Sequence, residues 1–91
     1  MEIIFSEVAF KQLKKLNGID HDDVASIVES LVEDENFQQT TREALAEDNG
    51  NEIFPLSFYN FEYDITISTK FAPLKHSITI LGVKRGNHMN I

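Results

Sequence analysis

The sequence predicts an α+β fold in which a helical hairpin packs on one face of a four-stranded antiparallel sheet, in the order β-α-α-β-β-β. Apolar residues recur at helical spacing in the N-terminal part, and strand-like runs fill the C-terminal part. One of those runs alternates strictly between apolar and polar residues. Since 91 residues build one hydrophobic core, we expect a single domain over residues 1–91.

The first strand is predicted at Glu2–Phe5, a short apolar run rich in β-formers. Ser6 follows as a helix N-cap residue, and Asn17-Gly18 is a typical helix stop. Between them, apolar residues recur at helical spacing: Ala9, Phe10, Leu13 and Leu16. This pattern predicts a first helix that ends near Leu16.

A second helix is predicted to begin at Asp20, whose carboxylate can accept hydrogen bonds from the first free N–H groups. One apolar stripe then follows the i, i+3, i+4, i+7, i+8 pattern: Val24, Ile27, Val28, Leu31 and Val32. Two helices joined by about three residues form an antiparallel hairpin. Because each stripe covers only one side of its helix, we expect both to lie on a sheet.

The segment from Glu35 to Glu52 has few large apolar residues and predicts a mobile connection. It contains one possible helical turn at Arg42–Glu47 and a turn sequence at Asp48–Asn51.

Three strand-like runs follow this connection: Ile53–Tyr59, Phe61–Lys70 and His76–Val83. Turn signals at Asn60 and at Ala72-Pro73 separate them, which predicts an antiparallel meander. Pro55 lacks an N–H donor, so the first of these strands is expected at a sheet edge or at a bulge.

The central strand is predicted to be apolar on one side and polar on the other. The apolar positions are Tyr63, Ile65 and Ile67, and the polar positions are Asp64, Thr66 and Ser68. We expect the helical hairpin to cover the apolar face, so that the opposite face, here called the open face, remains available to a partner or substrate.

The formal net charge of −7 argues against a general nucleic-acid binder, but the charge is unevenly distributed. Residues 1–17, 18–52 and 53–91 carry +1, −10 and +2, respectively. The sequence has no cysteine and no apolar stretch typical of a signal peptide or a membrane span. We therefore expect a cytoplasmic protein without thiol chemistry, membrane association or a cofactor.

The densest basic cluster lies after the last predicted strand and includes Lys84, Arg85 and His88. One interpretation is a phosphate-binding and acid–base site, in which Arg85 holds phosphate oxygens and His88 transfers protons near neutral pH. The alternative is a solvated chain end.

Three further groups each have an ordinary structural explanation beside a functional one. Asp20–Asp23 contains metal-ligand types, but acids at a helix start are explained by capping, so no metal site is expected. Six aromatics cluster in the strands, where packing explains most of them and Tyr59 is the expected exception as a base-stacking residue. The lysines of the first helix are a solvated face or a phosphate contact: Lys11, Lys14 and Lys15.

Three stretches resemble one known family in their order and spacing: Ile4–Leu16, Tyr63–Ile67 and Ile78–Arg85. They are similar to the first strand and helix, the tyrosine-led central strand and the basic end of the last strand in the RelE/ParE superfamily of bacterial type II toxins. The resemblance implies a RelE/ParE-like fold and a cognate antitoxin as partner. It also implies a cellular target, which is the ribosome with its mRNA for RelE-like nucleases or DNA gyrase for ParE-like toxins.

The resemblance implies that Lys84 and Arg85 stabilise the phosphate during mRNA cleavage and that His88 transfers the proton. This sequence departs from the nuclease pattern, however. Asp64 stands where an arginine commonly follows the tyrosine of the central strand, and Pro55 and Ser57 stand where nucleases often carry lysines.

Three hypotheses follow for the function. The first is a RelE-like, ribosome-dependent mRNA endoribonuclease, active or degenerate. The second is a non-catalytic, protein-binding relative, either a gyrase-directed toxin or an inactive member. The third is an acidic mimic of nucleic acid, based on the −10 segment.

Overall fold

The computed structural model describes residues 1–47 and 53–89. Its elements are β1 (Glu2–Phe5), α1 (Glu7–Lys14), α2 (His21–Glu33), α3 (Glu35–Glu47), β2 (Phe54–Asn60), β3 (Ile65–Ala72), a 3-10 turn (Pro73–Lys75) and β4 (Ser77–Arg85). The α+β class is confirmed. The turn predicted at Asp48–Asn51 lies outside the described residues.

The four strands form one mixed sheet in the order β1-β4-β3-β2. The β2–β3 and β3–β4 pairs are antiparallel, as the predicted meander requires. The prediction of a fully antiparallel sheet is wrong, because β1 pairs with β4 in parallel. Apolar alternation shows which face a strand buries, but it carries no information about strand direction, and the helices and strands between β1 and β4 supply the crossover that a parallel pair needs.

Both predicted helix starts are confirmed. The Oγ of Ser6 accepts a hydrogen bond from the Ala9 N–H at 3.0 Å. Asp20 and Asp23 form a reciprocal capping box, in which each carboxylate accepts from the other residue's N–H at 3.0 Å. The link between the helices covers residues 15–20 and is longer than predicted.

The irregular connection predicted after the second helix is wrong for residues 35–41, because α3 begins at Glu35, whereas the helical turn predicted at Arg42–Glu47 is confirmed as the end of α3. Asp34 caps this helix, since its Oδ1 accepts from the Phe37 N–H at 3.0 Å. The Phe37 ring then packs against Phe71 with 5.3 Å between ring centroids. Helix α3 lacks a wide apolar stripe. Residues of good helix propensity and the packing of Phe37 therefore stabilise it.

The central strand begins at Ile65 rather than at Phe61, because residues 61–64 form a turn. The side chain of Asn60 accepts from the Tyr63 N–H at 2.9 Å, and Asp64 has a left-handed φ of 55°. Asn and Asp are the residues that most readily stabilise such backbone geometry. Tyr63 consequently lies in the turn and not in the strand.

The hydrophobic core lies between α1, α2 and one face of the sheet, as predicted. Its fully buried side chains are Ala9, Val24 and Val28 from the helices and Ile65, Ile67, Ile78, Ile80 and Val83 from the strands. The helices therefore cover the apolar face, and the open face is the opposite one.

Beyond the end of β1, the start of α1 and one of its side chains form hydrogen bonds with the backbone of β4. The Ser6 N–H donates to the Ile80 carbonyl at 2.9 Å, and the Ser6 hydroxyl donates to the Leu81 carbonyl at 3.3 Å. Farther along, the Val83 N–H donates to Oε1 of Gln12 at 2.9 Å. Ser6, the N-cap of α1, and the Gln12 side chain of α1 thus satisfy backbone groups of β4 that the short β1 does not reach.

Candidate functional site

An irregularity in β4 decides which face its last residues occupy. Ser68 pairs with Gly82 and Thr69 pairs with Ile80, which leaves Leu81 as an extra residue in β4. The bulge reverses the alternation, since two residues of one strand oppose one of the other. Lys84 therefore pairs with Thr66 on the open face.

Arg85 lies on the helix-covered side of the sheet. It pairs with the fully buried Ile65 in the register between β3 and β4. Its guanidinium donates through Nη1 to the Tyr63 carbonyl and through Nη2 to the Asn17 carbonyl, the second at 2.6 Å. Arg85 thereby ties the α1–α2 link to the β2–β3 turn. It does not point to the same face as Lys84.

The chain after β4 folds back over the end of β3. The Gly86 N–H donates to the Asp64 carbonyl at 2.7 Å. The hydroxyl of Thr66, a buried residue, donates to the Gly86 carbonyl at 2.7 Å and accepts from the His88 N–H at 2.9 Å. The backbone at Gly86 and His88 is therefore bonded to Asp64 and Thr66, while the side chains of Lys84, Arg85 and His88 are exposed.

One nitrogen of the exposed His88 ring is hydrogen-bonded to a backbone carbonyl. Its Nε2 lies 2.8 Å from the Arg85 carbonyl oxygen. Because a carbonyl only accepts hydrogen bonds, we assign the proton to Nε2. Nδ1 is then the ring atom left for acid–base chemistry.

Asp64 is engaged by a neighbouring tyrosine. The Tyr59 hydroxyl donates to Oδ1 of Asp64 at 2.6 Å, and Tyr59 pairs with Thr66 on the open face. This hydrogen bond is the main cause that raises the pKa of Tyr59, with smaller contributions from desolvation and from the Asp64 charge. This end of the open face therefore presents a hydrogen-bonded carboxylate.

The rest of the open face is mostly neutral and polar. Ser57 pairs with Ser68, and their hydroxyl oxygens are 3.4 Å apart. Pro55 pairs with Lys70, which is exposed. The described part of this face thus offers hydroxyl groups and separated lysines rather than a dense cationic site.

The three lysines predicted as a solvated face or a phosphate contact lie in α1 and at its C-cap. Lys11 forms an ion pair with Glu7 at 3.1 Å between Nζ and Oε1. Lys14 places its Nζ 5.0 Å from the centroid of the Phe10 ring. Lys15 is the exposed C-cap residue. Within the described residues, the contacts of Lys11 and Lys14 stay inside α1, and the structure does not bring these side chains together with His88.

Sequence reasoning missed several residues that organise this region. Thr66 was expected only as a polar position, and nothing in its local sequence signals that it clamps the following chain. Packing was expected to explain the clustered aromatics other than Tyr59, but Phe61 is 84% exposed at the turn.

The capping explanation of Asp20 is confirmed.

Within the two described stretches, no three His, Asp or Glu side chains are placed to hold a metal ion. The helices described here are all too short or too polar to cross a lipid bilayer.

Comparison with known proteins found no matching family model, no similar curated protein and no similar solved structure.

Proposed function

We propose that this protein is a RelE/ParE-like toxin of a type II toxin–antitoxin module that acts by binding a protein target and not by cleaving mRNA. The observation that carries this proposal is the position of Arg85. Its guanidinium is bound to two backbone carbonyls on the helix-covered side of the sheet.

The chemistry of RNA cleavage explains why this position matters. Attack of a 2′-oxygen on phosphate builds up negative charge, and cations positioned at the phosphate lower that barrier. Arg85 is committed to the Asn17 and Tyr63 carbonyls, and the Asp64 carboxylate repels phosphate on the open face. Lys84 is the cation that remains at this end of the open face among the described residues.

Binding a protein partner does not require the concentrated cations that RNA cleavage requires. A polar face with scattered charges and a well-defined end suits a protein partner, because interface affinity comes from shape and a few anchors rather than from concentrated cations. The cognate antitoxin is the first expected partner, and DNA gyrase is the expected cellular target.

A second candidate function is ribosome-dependent mRNA cleavage by a reduced site. It is favoured by one specific arrangement, in which Lys84 and His88 both lie next to Thr66. Lys84 pairs with Thr66 in the sheet, and the His88 backbone donates to the Thr66 hydroxyl. Lys84 would stabilise the phosphate, and Nδ1 of His88 would transfer the proton.

Induced expression in a bacterial host, with pulse labelling of protein and DNA synthesis, separates the two candidates. The proposal expects protein synthesis to continue after induction, with loss of DNA synthesis if gyrase is the target. Rapid loss of protein synthesis that disappears in the Lys84→Ala/His88→Ala double variant would overturn it. The matched control is Lys75→Ala/His76→Ala, which removes the same residue types from the opposite end of β4.

A further inference from the structure

The link between α1 and α2 contains an asparagine followed by a glycine, Asn17-Gly18, and both residues are exposed. Gly18 has a left-handed φ of 81°. Among the described residues, no atom beyond its chain neighbours lies within 4 Å of the place that a Cβ of Gly18 would occupy. The main-chain nitrogen of Gly18 is therefore open to the side chain that precedes it.

The side chain of Asn17 is not held by the backbone as other asparagines are. The Oδ1 atoms of Asn60 and Asn87 each accept a backbone N–H at 2.9 Å. Within residues 1–47 and 53–89, the Asn17 side chain makes no hydrogen bond, and its main-chain carbonyl accepts one. The amide of Asn17 can consequently turn toward the Gly18 nitrogen.

Arg85 acts on the peptide bond between these two residues. Its Nη2 donates to the Asn17 carbonyl oxygen at 2.6 Å. The Gly18 nitrogen becomes a nucleophile when it loses its proton, and the resulting negative charge is shared with that carbonyl oxygen. A cation already bound to this oxygen stabilises the charge where it develops. Arg85 is thus placed to make the Gly18 N–H more acidic.

We propose that Asn17 is a modification site at which Arg85 promotes deamidation to an isoaspartyl residue. The Gly18 nitrogen gives its proton to water and bonds to the side-chain carbonyl carbon of Asn17. The bond from that carbon to the amide nitrogen breaks, and ammonia leaves with a proton taken from water. The product of this step is a cyclic imide.

Water then opens the imide. It adds to the main-chain carbonyl carbon of residue 17, whose bond to the Gly18 nitrogen breaks, and the nitrogen takes up a proton. The main-chain carbonyl becomes a free carboxylate, and the chain continues through the former side chain. The sum of both steps consumes one water molecule and releases one ammonia.

Arg85 also selects the isoaspartyl product. Water that adds to the former side-chain carbonyl yields an ordinary aspartyl residue instead. The Arg85 guanidinium polarises the main-chain carbonyl, and the carboxylate that forms there is its natural ion-pair partner. This inference does not depend on the proposed function.

Incubation of the folded full chain in mildly alkaline buffer, followed by peptide mapping with mass spectrometry, tests the proposal. Arg85→Gln should slow deamidation at Asn17 about tenfold, because the anion loses its cation. It should also lower the ratio of isoaspartyl to aspartyl product. If Arg85 only held the link still, its removal would loosen the backbone and speed the reaction instead.

The chain supplies its own reference for these rates. Asn49-Gly50 is the second asparagine–glycine pair of the sequence and lies outside the described residues, and its rate should be equal in the two proteins. Lys84→Gln is the matched control, since it removes the neighbouring charge from the other face of the sheet.

Arg85→Lys keeps a cation and should retain more of the rate than Arg85→Gln. Circular dichroism shows whether each variant is folded. A rate at Asn17 that Arg85→Gln leaves unchanged or raises would overturn the proposal, as would a folded protein in which Asn17 stays unmodified while Asn49 reacts.

Discussion

The Tyr59 hydroxyl and the Asp64 carboxylate are joined by a 2.6 Å hydrogen bond on the open face of the sheet. Asp64 adopts a left-handed φ of 55°, which Asp accepts more readily than most residues. Its main-chain carbonyl also accepts from the Gly86 N–H. Asp64 therefore connects the β2–β3 turn with Tyr59 and with the chain that follows β4.

Removal of the Asp64 charge should lower the pKa of Tyr59. The hydrogen bond from Tyr59 stabilises the protonated phenol and raises its pKa above the usual 10.0. Asp64→Asn should return the titration to the ordinary range. Because the chain has only two tyrosines, absorbance near 295 nm in a Tyr63→Phe background reports Tyr59 alone.

The same shift has a consequence for stability. A raised pKa in the folded state contributes stability that is complete below the unfolded value and is lost as the pH rises through the folded value. The unfolding free energy of the native protein should therefore fall more steeply above about pH 10 than that of Asp64→Asn. Glu29→Gln is the control, and an equal effect of both variants would contradict the assignment.

Thr66→Val should release the chain that follows β4. Valine keeps the shape and strand propensity but removes the hydroxyl that donates to Gly86 and accepts from His88. We expect a loss of about 1 kcal/mol in the free energy of unfolding, because two partly buried backbone groups lose their hydrogen-bond partner. Urea denaturation measures the loss, and amide exchange should accelerate at His88.

Thr79→Val is the matched control for this prediction. Thr79 lies on the same face of the sheet as Thr66, since it pairs with Lys70. Its substitution should change stability by less than about 0.5 kcal/mol. Equal losses for the two variants would contradict the clamp at Thr66.

The local features of the fold could be predicted from sequence, because short-range chemistry determines them. Ser6 and Asp20 begin helices through their own side chains, and the valines of the predicted α2 stripe are buried, with Ile27 and Leu31 partly buried beside them. Helix α3 could not be predicted in the same way. Its stability depends on the contact between Phe37 and Phe71, which are far apart in sequence.

The candidate site depended on a register that sequence cannot show. Without the bulge at Leu81, the alternation that buries Ile78 and Ile80 would continue, and Arg85 would lie on the open face. The extra residue buries Val83 instead and sends Arg85 to the helix-covered side. Adjacent strand residues face opposite sides in either register, so the bulge decides that Lys84, and not Arg85, lies on the open face.

Arg85→Lys should destabilise the fold even though it keeps the charge. Lysine lacks the planar fork that reaches the carbonyls of Asn17 and Tyr63 together. We expect the free energy of unfolding to fall by about 1 kcal/mol. This is less than a buried hydrogen bond to a charged group contributes, because Arg85 is exposed. Urea denaturation measures it, with Lys84→Arg as the control. No difference between the two variants would show that the guanidinium contacts are not stabilising.

Gln12→Ala should expose the edge of β4. The substitution removes the acceptor of the Val83 N–H and should cost about 1 kcal/mol. Gln12→Glu retains an acceptor oxygen and should cost less. Hydrogen exchange at the Val83 amide is the direct measurement. Gln39→Ala on α3 is the control, since that side chain bonds to an exposed neighbour on its own helix.

The account is tested most directly by mixing the purified, folded protein with translating bacterial ribosomes and mapping the mRNA ends by primer extension. The prediction is that no new ends appear, because Arg85 is committed to backbone carbonyls and Asp64 opposes phosphate on the open face. Ribosome-dependent cuts that Lys84→Ala or His88→Ala abolishes would contradict it and establish a nuclease.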